Sequence, residues 1–296
     1  MPMRFLPLLL AVLAVPPGAE AACPPKGETR ASLRTLKAAR FELTEAPRRE
    51  ALALALVDCL GAADPELRDG VAFEALSHWM RADALSPATL RELYTRLLPA
   101  LARADPAGFR QSFSALVLAE VARVDRLQPF LAPPERERLV EAAADALTGM
   151  RDYRGFSSRE GWRHGVAHGA DLLMQLALHP ALTRAEADRM LEALAAQVAP
   201  AGEHAYVFGE PERLARPLLI IARRGLHTPE QWTAWLTRAT AISEPAKAFR
   251  TRAGLARRHN ARAFLQSSYV ALQEGEDAAL RERLLPAVRA ALQALP

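Results

Sequence analysis

Helix-start signals recur along almost the whole chain. Asp64-Pro65, Ser86-Pro87, Asp105-Pro106, Pro133-Pro134, Thr183, Thr228-Pro229 and Ser243-Glu244-Pro245 each place a capping side chain or a proline where a helix can begin. Between these points apolar residues return at spacings of three and four. Leu90, Leu93, Leu97 and Leu101 make one such stripe, and Leu139, Ala142, Ala143, Ala146 and Leu147 another. No segment sustains alternation with period two, and the most strand-like stretch, Tyr206 to Phe208, is too short to build a sheet. A chain patterned in this way buries its stripes by packing helix on helix, so the expected class is all-α. An Ala- and Leu-rich composition with only 6% aromatic residues agrees with this.

The helices are expected in pairs. One member of each pair begins near Arg68, Phe109, Trp162, Arg213 and Asn260, at intervals of roughly 40 to 55 residues, the period of HEAT-type and armadillo-type repeats. Stacked pairs make an α-solenoid with a long concave surface lined by the second helix of each pair. An irregular helical bundle or an α/α toroid is the alternative. The expected division is a signal peptide over 1–22, an N-terminal arm over 23–44 and a helical-repeat domain over 45–296.

The signal peptide is read from Arg4, an apolar run from Phe5 to Val15, the break at Pro16-Pro17-Gly18, and the small-x-small triplet Ala19-Glu20-Ala21. Cleavage is expected after Ala21 or Ala22, and the mature chain is expected to have no transmembrane segment. The address is export, to the periplasm in the first place. Secretion or lipid anchoring are the other destinations. Cys23 and Cys59, the two cysteines, are expected to pair in an oxidising compartment. The rival reading is lipidation of Cys23, although Glu20 stands where a lipobox wants an apolar residue.

Hydrophobic residues at 50% and charged residues at 24% describe an ordinary globular chain of 296 residues. The net charge of +4 is carried almost wholly by arginine, with Lys26, Lys37 and Lys247 the only lysines. Acidic and basic residues alternate along the helices, which reads as solvated faces rather than a nucleic-acid surface. No nucleic-acid partner is expected. The chain also has no nucleophile elbow, P-loop, dinucleotide fingerprint, H-E-x-x-H or C-x-x-C motif.

The starts of the five repeat helices carry unusual polar residues. If they line one groove, Asp69, Arg110, Trp162, His164, Arg213 and Asn260 are candidate ligand-binding groups, with His168 and Asp171 beside them. The bland reading makes Asp69 and Arg213 helix caps or inter-repeat ion pairs, and makes Trp79, Trp162, Trp232 and Trp235 packing residues. His164, His168 and Asp171 fall within about 60° on one helix face, and Gln175 extends the stripe. Two histidines four apart can hold a divalent metal if a further ligand such as Asp69 joins them. Alternatively Asp171 orients His168 as a general base. Serine chemistry would need Ser112 or Ser114 beside His168. The loop Arg154-Gly155-Phe156 is expected to flank the mouth of the groove.

The sequence resembles a bacterial family catalogued as domain of unknown function 2785, over roughly Asp64 to Tyr269. The resemblance is carried by Arg68-Asp69-Gly70, by the run Arg110 to Leu116, by the run Gly161 to Asp171, by Glu212-Arg213-Leu214-Ala215, and by Asn260 with Ala263-Phe264-Leu265. It implies an all-helical domain and names no reaction. The expected function is therefore binding of a small ligand or protein partner in a concave polar groove. A hydrolase using His168 with Asp171, or a metal on His164 and His168, is the second reading. A purely structural envelope protein is the third.

Overall fold

The computed structural model describes residues 23–103, 105–242 and 244–296. The expected signal peptide lies outside the described residues. The protein is all-α. Its helices are α1 (Arg30–Ala38), α2 (Ala46–Leu56), α3 (Pro65–Leu67), α4 (Glu74–Arg81), α5 (Pro87–Leu97), α6 (Arg110–Leu127), α7 (Pro133–Gly149), α8 (Gly165–Ala177), α9 (Arg184–Val198), α10 (Glu210–Arg223), α11 (Pro229–Ala239), α12 (Arg252–Glu274) and α13 (Ala278–Ala294). No described helix is long and apolar enough to cross a membrane.

Most starts form as the capping chemistry predicts. Asp64 accepts from the amide of Glu66, and Ser86 from that of Thr89. Thr183 and Glu186 close a reciprocal box, as do Thr228 and Gln231. Two starts are displaced. Asp105 receives the amides of Gly108 and Gln111, so helix α6 begins only at Arg110. Helix α12 begins at Arg252, capped by Thr251, so Asn260 lies in its interior and not at its start. Tyr206 to Phe208 is loop. The one ladder among the described residues is instead a two-residue antiparallel hairpin, β1 (Phe156–Ser157) and β2 (Gly161–Trp162), with Phe156 opposite Trp162.

Two rows of packing organise the helices. In one, α4, α6, α8, α10 and α12 each pack against the next, and in the other α7, α9, α11 and α13 do the same. The rows are joined through α7 on α8, α9 on α10 and α12 on α13. Leu33 of α1, Leu118 of α6, Leu173 of α8 and Leu284 of α13 belong to one continuous apolar core. Trp79, Trp232 and Trp235 are buried in it, which is the packing role read from the sequence.

The segment before α2 is tied down. Cys23 and Cys59 form a disulfide, with Cys59 in the short helical segment Val57–Gly61 that follows α2. Arg34 of α1 meets Glu66, Lys37 meets Glu74, and Trp79 Nε1 donates to the carbonyl of Phe41.

Between α3 and α4 the backbone widens into a π-helical stretch, Arg68–Phe73. Such widening often marks a functional site, because it re-aims side chains that a regular helix would hold in register. Here Arg68 is fully buried. Its guanidinium donates to the carbonyls of Ala62, Glu160 and Trp162 and lies 3.9 Å over the Phe109 ring. It thus locks the hairpin onto the π-helical stretch.

Candidate functional site

A cleft of about 550 Å³ opens where the π-helical stretch, α4, α6, the hairpin, α8 and α10 meet. Its size is that of a small-molecule site. Four aromatic rings contribute to its wall: Phe73, Phe113, Trp162 and Phe208. Phe73 and Phe113 meet edge to face, as do Trp162 and Phe208. Trp162 is 38% exposed, stacked on His164 with ring centroids 4.7 Å apart.

The polar floor comes from α8. His168, Asp171 and Gln175 all line the cleft, as their shared helix face predicts. His168 is 6% exposed, and its Nδ1 lies 2.8 Å from Ser112 Oγ. The Ser112 hydroxyl is in close contact with the carbonyl oxygen of Arg163. A carbonyl can only accept, so the serine proton goes there and His168 Nδ1 must donate to the serine oxygen. The neutral ring then carries its proton on Nδ1 and leaves Nε2 as an acceptor. Burial, helped by His164 and Arg213, holds the His168 pKa well below the usual histidine range, so the neutral form prevails.

This arrangement replaces the expected pairing of Asp171 with His168. Both Asp171 oxygens are engaged by Arg213 of α10, with Nε donating to Oδ1 at 2.7 Å. The positioning group of His168 is Ser112. Ser112 is itself buried behind the histidine and does not line the cleft, so it is placed to hold the ring and not to act as a nucleophile.

His164 occupies the left-handed region, with φ 55° and ψ 36°, immediately before the first residue of α8. A non-glycine residue there carries strain, and such strain gathers at functional sites. Its amide donates to the carbonyl of Arg154, which together with the Trp162 stack fixes the conformation. Its Nε2 is sealed without a hydrogen-bond partner, 3.8 Å from Glu210 Oε1. Burial first, and Arg213 second, lower its pKa to about 4.

Asp69 reaches the rim. Its Oδ1 lies 2.7 Å from Arg68 Nε, an ion pair out of hydrogen-bonding line, and its Oδ2 accepts from the Trp162 amide. Burial raises its pKa, against the pull of Arg68. Asp69 is committed to these partners, and the His164 and His168 rings stand edge to face at 5.6 Å. Among the described residues no three His, Cys, Asp or Glu side chains gather into a metal-binding group, so the expected third ligand does not join the histidines.

Two candidates are placed elsewhere. Arg110 turns back to donate to the carbonyls of Val57 and Asp58 and packs over Gly61, away from this cleft. Asn260 is fully buried. It accepts from the Tyr206 amide and donates to the His204 carbonyl, pinning the loop between α9 and α10. Trp162, His164, His168, Asp171, Arg213 and Asp69 do converge. The loop with Gly155 flanks them, so close to the Phe208 ring that a Cβ on Gly155 would fall 2.0 Å from it. Sequence reasoning did not single out Arg81 and Glu120, an ion pair across α4 and α6, because they read as ordinary surface charges. Phe113 and Phe208 were also missed as wall residues, since nothing local separates them from core aromatics.

A family model described as "Protein of unknown function (DUF2785)" matches residues 97–270, more than half of the chain. The chain belongs to this family. No curated protein and no solved structure matches it. The match to DUF2785 takes in α6, the hairpin, α8 and α10, and so most of the cleft. It begins later than the resemblance read from the sequence, leaving Asp69, Phe73 and Arg81 on a wall outside the matched segment.

Proposed function

We propose that this DUF2785 protein binds a small ligand in the cleft over α8. The observation that carries the reading is His168. It is a buried, neutral imidazole with a dictated tautomer, whose Nε2 acceptor lies in a cleft walled by four aromatic rings. Holding one acceptor in place among aromatic surfaces is the usual construction of a recognition site. The exposed Phe156 and Val207 beside the mouth extend the apolar surface, so a protein partner seated over the mouth is the variant of this reading.

The wider architecture we read as an α-solenoid of stacked helix pairs, with the row α4, α6, α8 and α10 forming the ligand-facing surface. The two rows of sequential packing support it. We read the chain as exported. The apolar run at Phe5 to Val15 supports this, as does the Cys23–Cys59 pair, which suits an oxidising compartment and would occupy the thiol that lipidation needs.

Trp162 is the one exposed tryptophan, and Trp79, Trp232 and Trp235 are buried. The difference in emission between the wild type and Trp162→Phe therefore reports on the cleft. Titration of the purified protein with a broad set of small polar metabolites should shift the Trp162 emission, and His168→Gln should weaken the response. A set that leaves wild-type emission unmoved counts against the binding reading. The second reading, a hydrolase with His168 Nε2 as general base, is favoured by the same tautomer. It requires turnover of a chromogenic ester or amide that His168→Gln abolishes.

A further inference from the structure

Every ionic side chain lining the cleft is already paired. Asp69 is held by Arg68, Glu120 by Arg81, Asp171 by Arg213, and Arg216 by Glu212. A charged ligand would meet no uncompensated partner here, and would have to break a pair to gain one. Asp69 Oδ1 faces Arg68 Nε, and His164 Nε2 is sealed beside Glu210. The neutral groups left for a ligand are His168 Nε2, an acceptor because Nδ1 donates to Ser112, and the Gln175 side chain, whose Oε1 has no hydrogen-bond partner. Both lie on the same face of α8, two turns apart. A purely apolar ligand would cover His168 Nε2 without a donor, which is costly, and would leave Gln175 Oε1 as unpaired as before.

We propose that the cleft recognises a neutral carbohydrate. This inference rests on the small-ligand reading above. A pyranose has a flat face of weakly positive C–H groups, which suits aromatic rings such as Trp162 and Phe113. Its edge carries hydroxyls that both donate and accept, which suits His168 Nε2 and Gln175. The ring would lie against the aromatic wall with its hydroxyl edge on the α8 floor. The volume of about 550 Å³ admits a short oligosaccharide.

The test is calorimetric titration of the intact protein with glucose, N-acetylglucosamine and their β-linked trimers. Glucuronate, choline and indole serve as anionic, cationic and flat uncharged comparisons. The expected result is binding of at least one neutral saccharide, weakened about three- to tenfold by Gln175→Leu at unchanged melting temperature. Trp162→Ala should weaken it as well. A saccharide that binds equally well to both variants sits elsewhere and overturns the proposal. Binding of glucuronate, choline or indole without any neutral saccharide also overturns it, while leaving the small-ligand reading intact. Silence from all the probes overturns the carbohydrate proposal, and the small-ligand reading is then decided separately by Trp162 emission against the broad metabolite set.

Discussion

His168 shows how much a single neighbour decides. Ser112 sets its tautomer only because the serine proton is committed to the Arg163 carbonyl. Ser112→Ala should leave a buried Nδ1–H and a buried carbonyl unpaired, at a cost of about 1–3 kcal/mol. Denaturant unfolding measures that loss, and the ring-nitrogen NMR shifts of His168 should show the tautomer released. An unchanged nitrogen spectrum would remove Ser112 from the positioning role. His164 offers a second test. Its neighbours are Trp162, His168, Glu210 and Arg213, and its folded pKa of about 4 lies below the ordinary 6.5. Between those values the unfolded chain binds a proton that the folded chain refuses. Its contribution to stability is therefore full above about pH 6.5 and falls as the pH is lowered towards 4. Thermal melts across this window should be flatter for His164→Asn than for wild type, asparagine being able to adopt the left-handed backbone.

At the level of elements, the hairpin and the π-helical stretch act as one unit. Gly161 sits at φ 71°, and a Cβ there would fall 2.8 Å from Pro65 Cβ and 2.9 Å from Asp69 Oδ2. Only glycine satisfies both the backbone and the close approach. Gly161→Ala should cost about 2 kcal/mol or more and push the hairpin off Arg68. Because Trp162 follows directly, the displacement should be visible as a shift in its emission, together with a lower melting temperature. A variant that melts and emits like wild type would show that the hairpin is not seated by this contact. Helix α8 illustrates the opposite case, an element whose face was legible. The spacing of His168, Asp171 and Gln175 places them together, and they do line one cleft.

Over the whole molecule, one continuous core runs from α1 to α13, and the disulfide ties the segment before α1 to the Val57–Gly61 segment after α2. The bridged cysteines are 36 residues apart, which in the chain-entropy account is worth about 4 kcal/mol. The double variant Cys23→Ser, Cys59→Ser should lower the denaturant midpoint accordingly, with little change in Trp162 emission because the cleft is built from other segments. A large emission change in the folded variant would mean that the disulfide supports the site as well as the stability.

The sequence by itself determined the helical class, most of the helix starts and the shared face of α8. These are local properties: caps act within a turn, and apolar spacing depends only on the 3.6-residue period. It also marked Asp69, Trp162, His164 and Arg213 as polar or aromatic residues that gather. Only the tertiary structure decided their partners. Asp171 pairs with Arg213, 42 residues away, and His168 with Ser112, 56 residues away. Arg110 and Asn260 looked equivalent to them in sequence, yet one turns to the Val57–Gly61 segment and the other pins a loop. A helical period states which way a side chain faces. Which group meets it there depends on how distant helices pack, and local spacing carries no record of that.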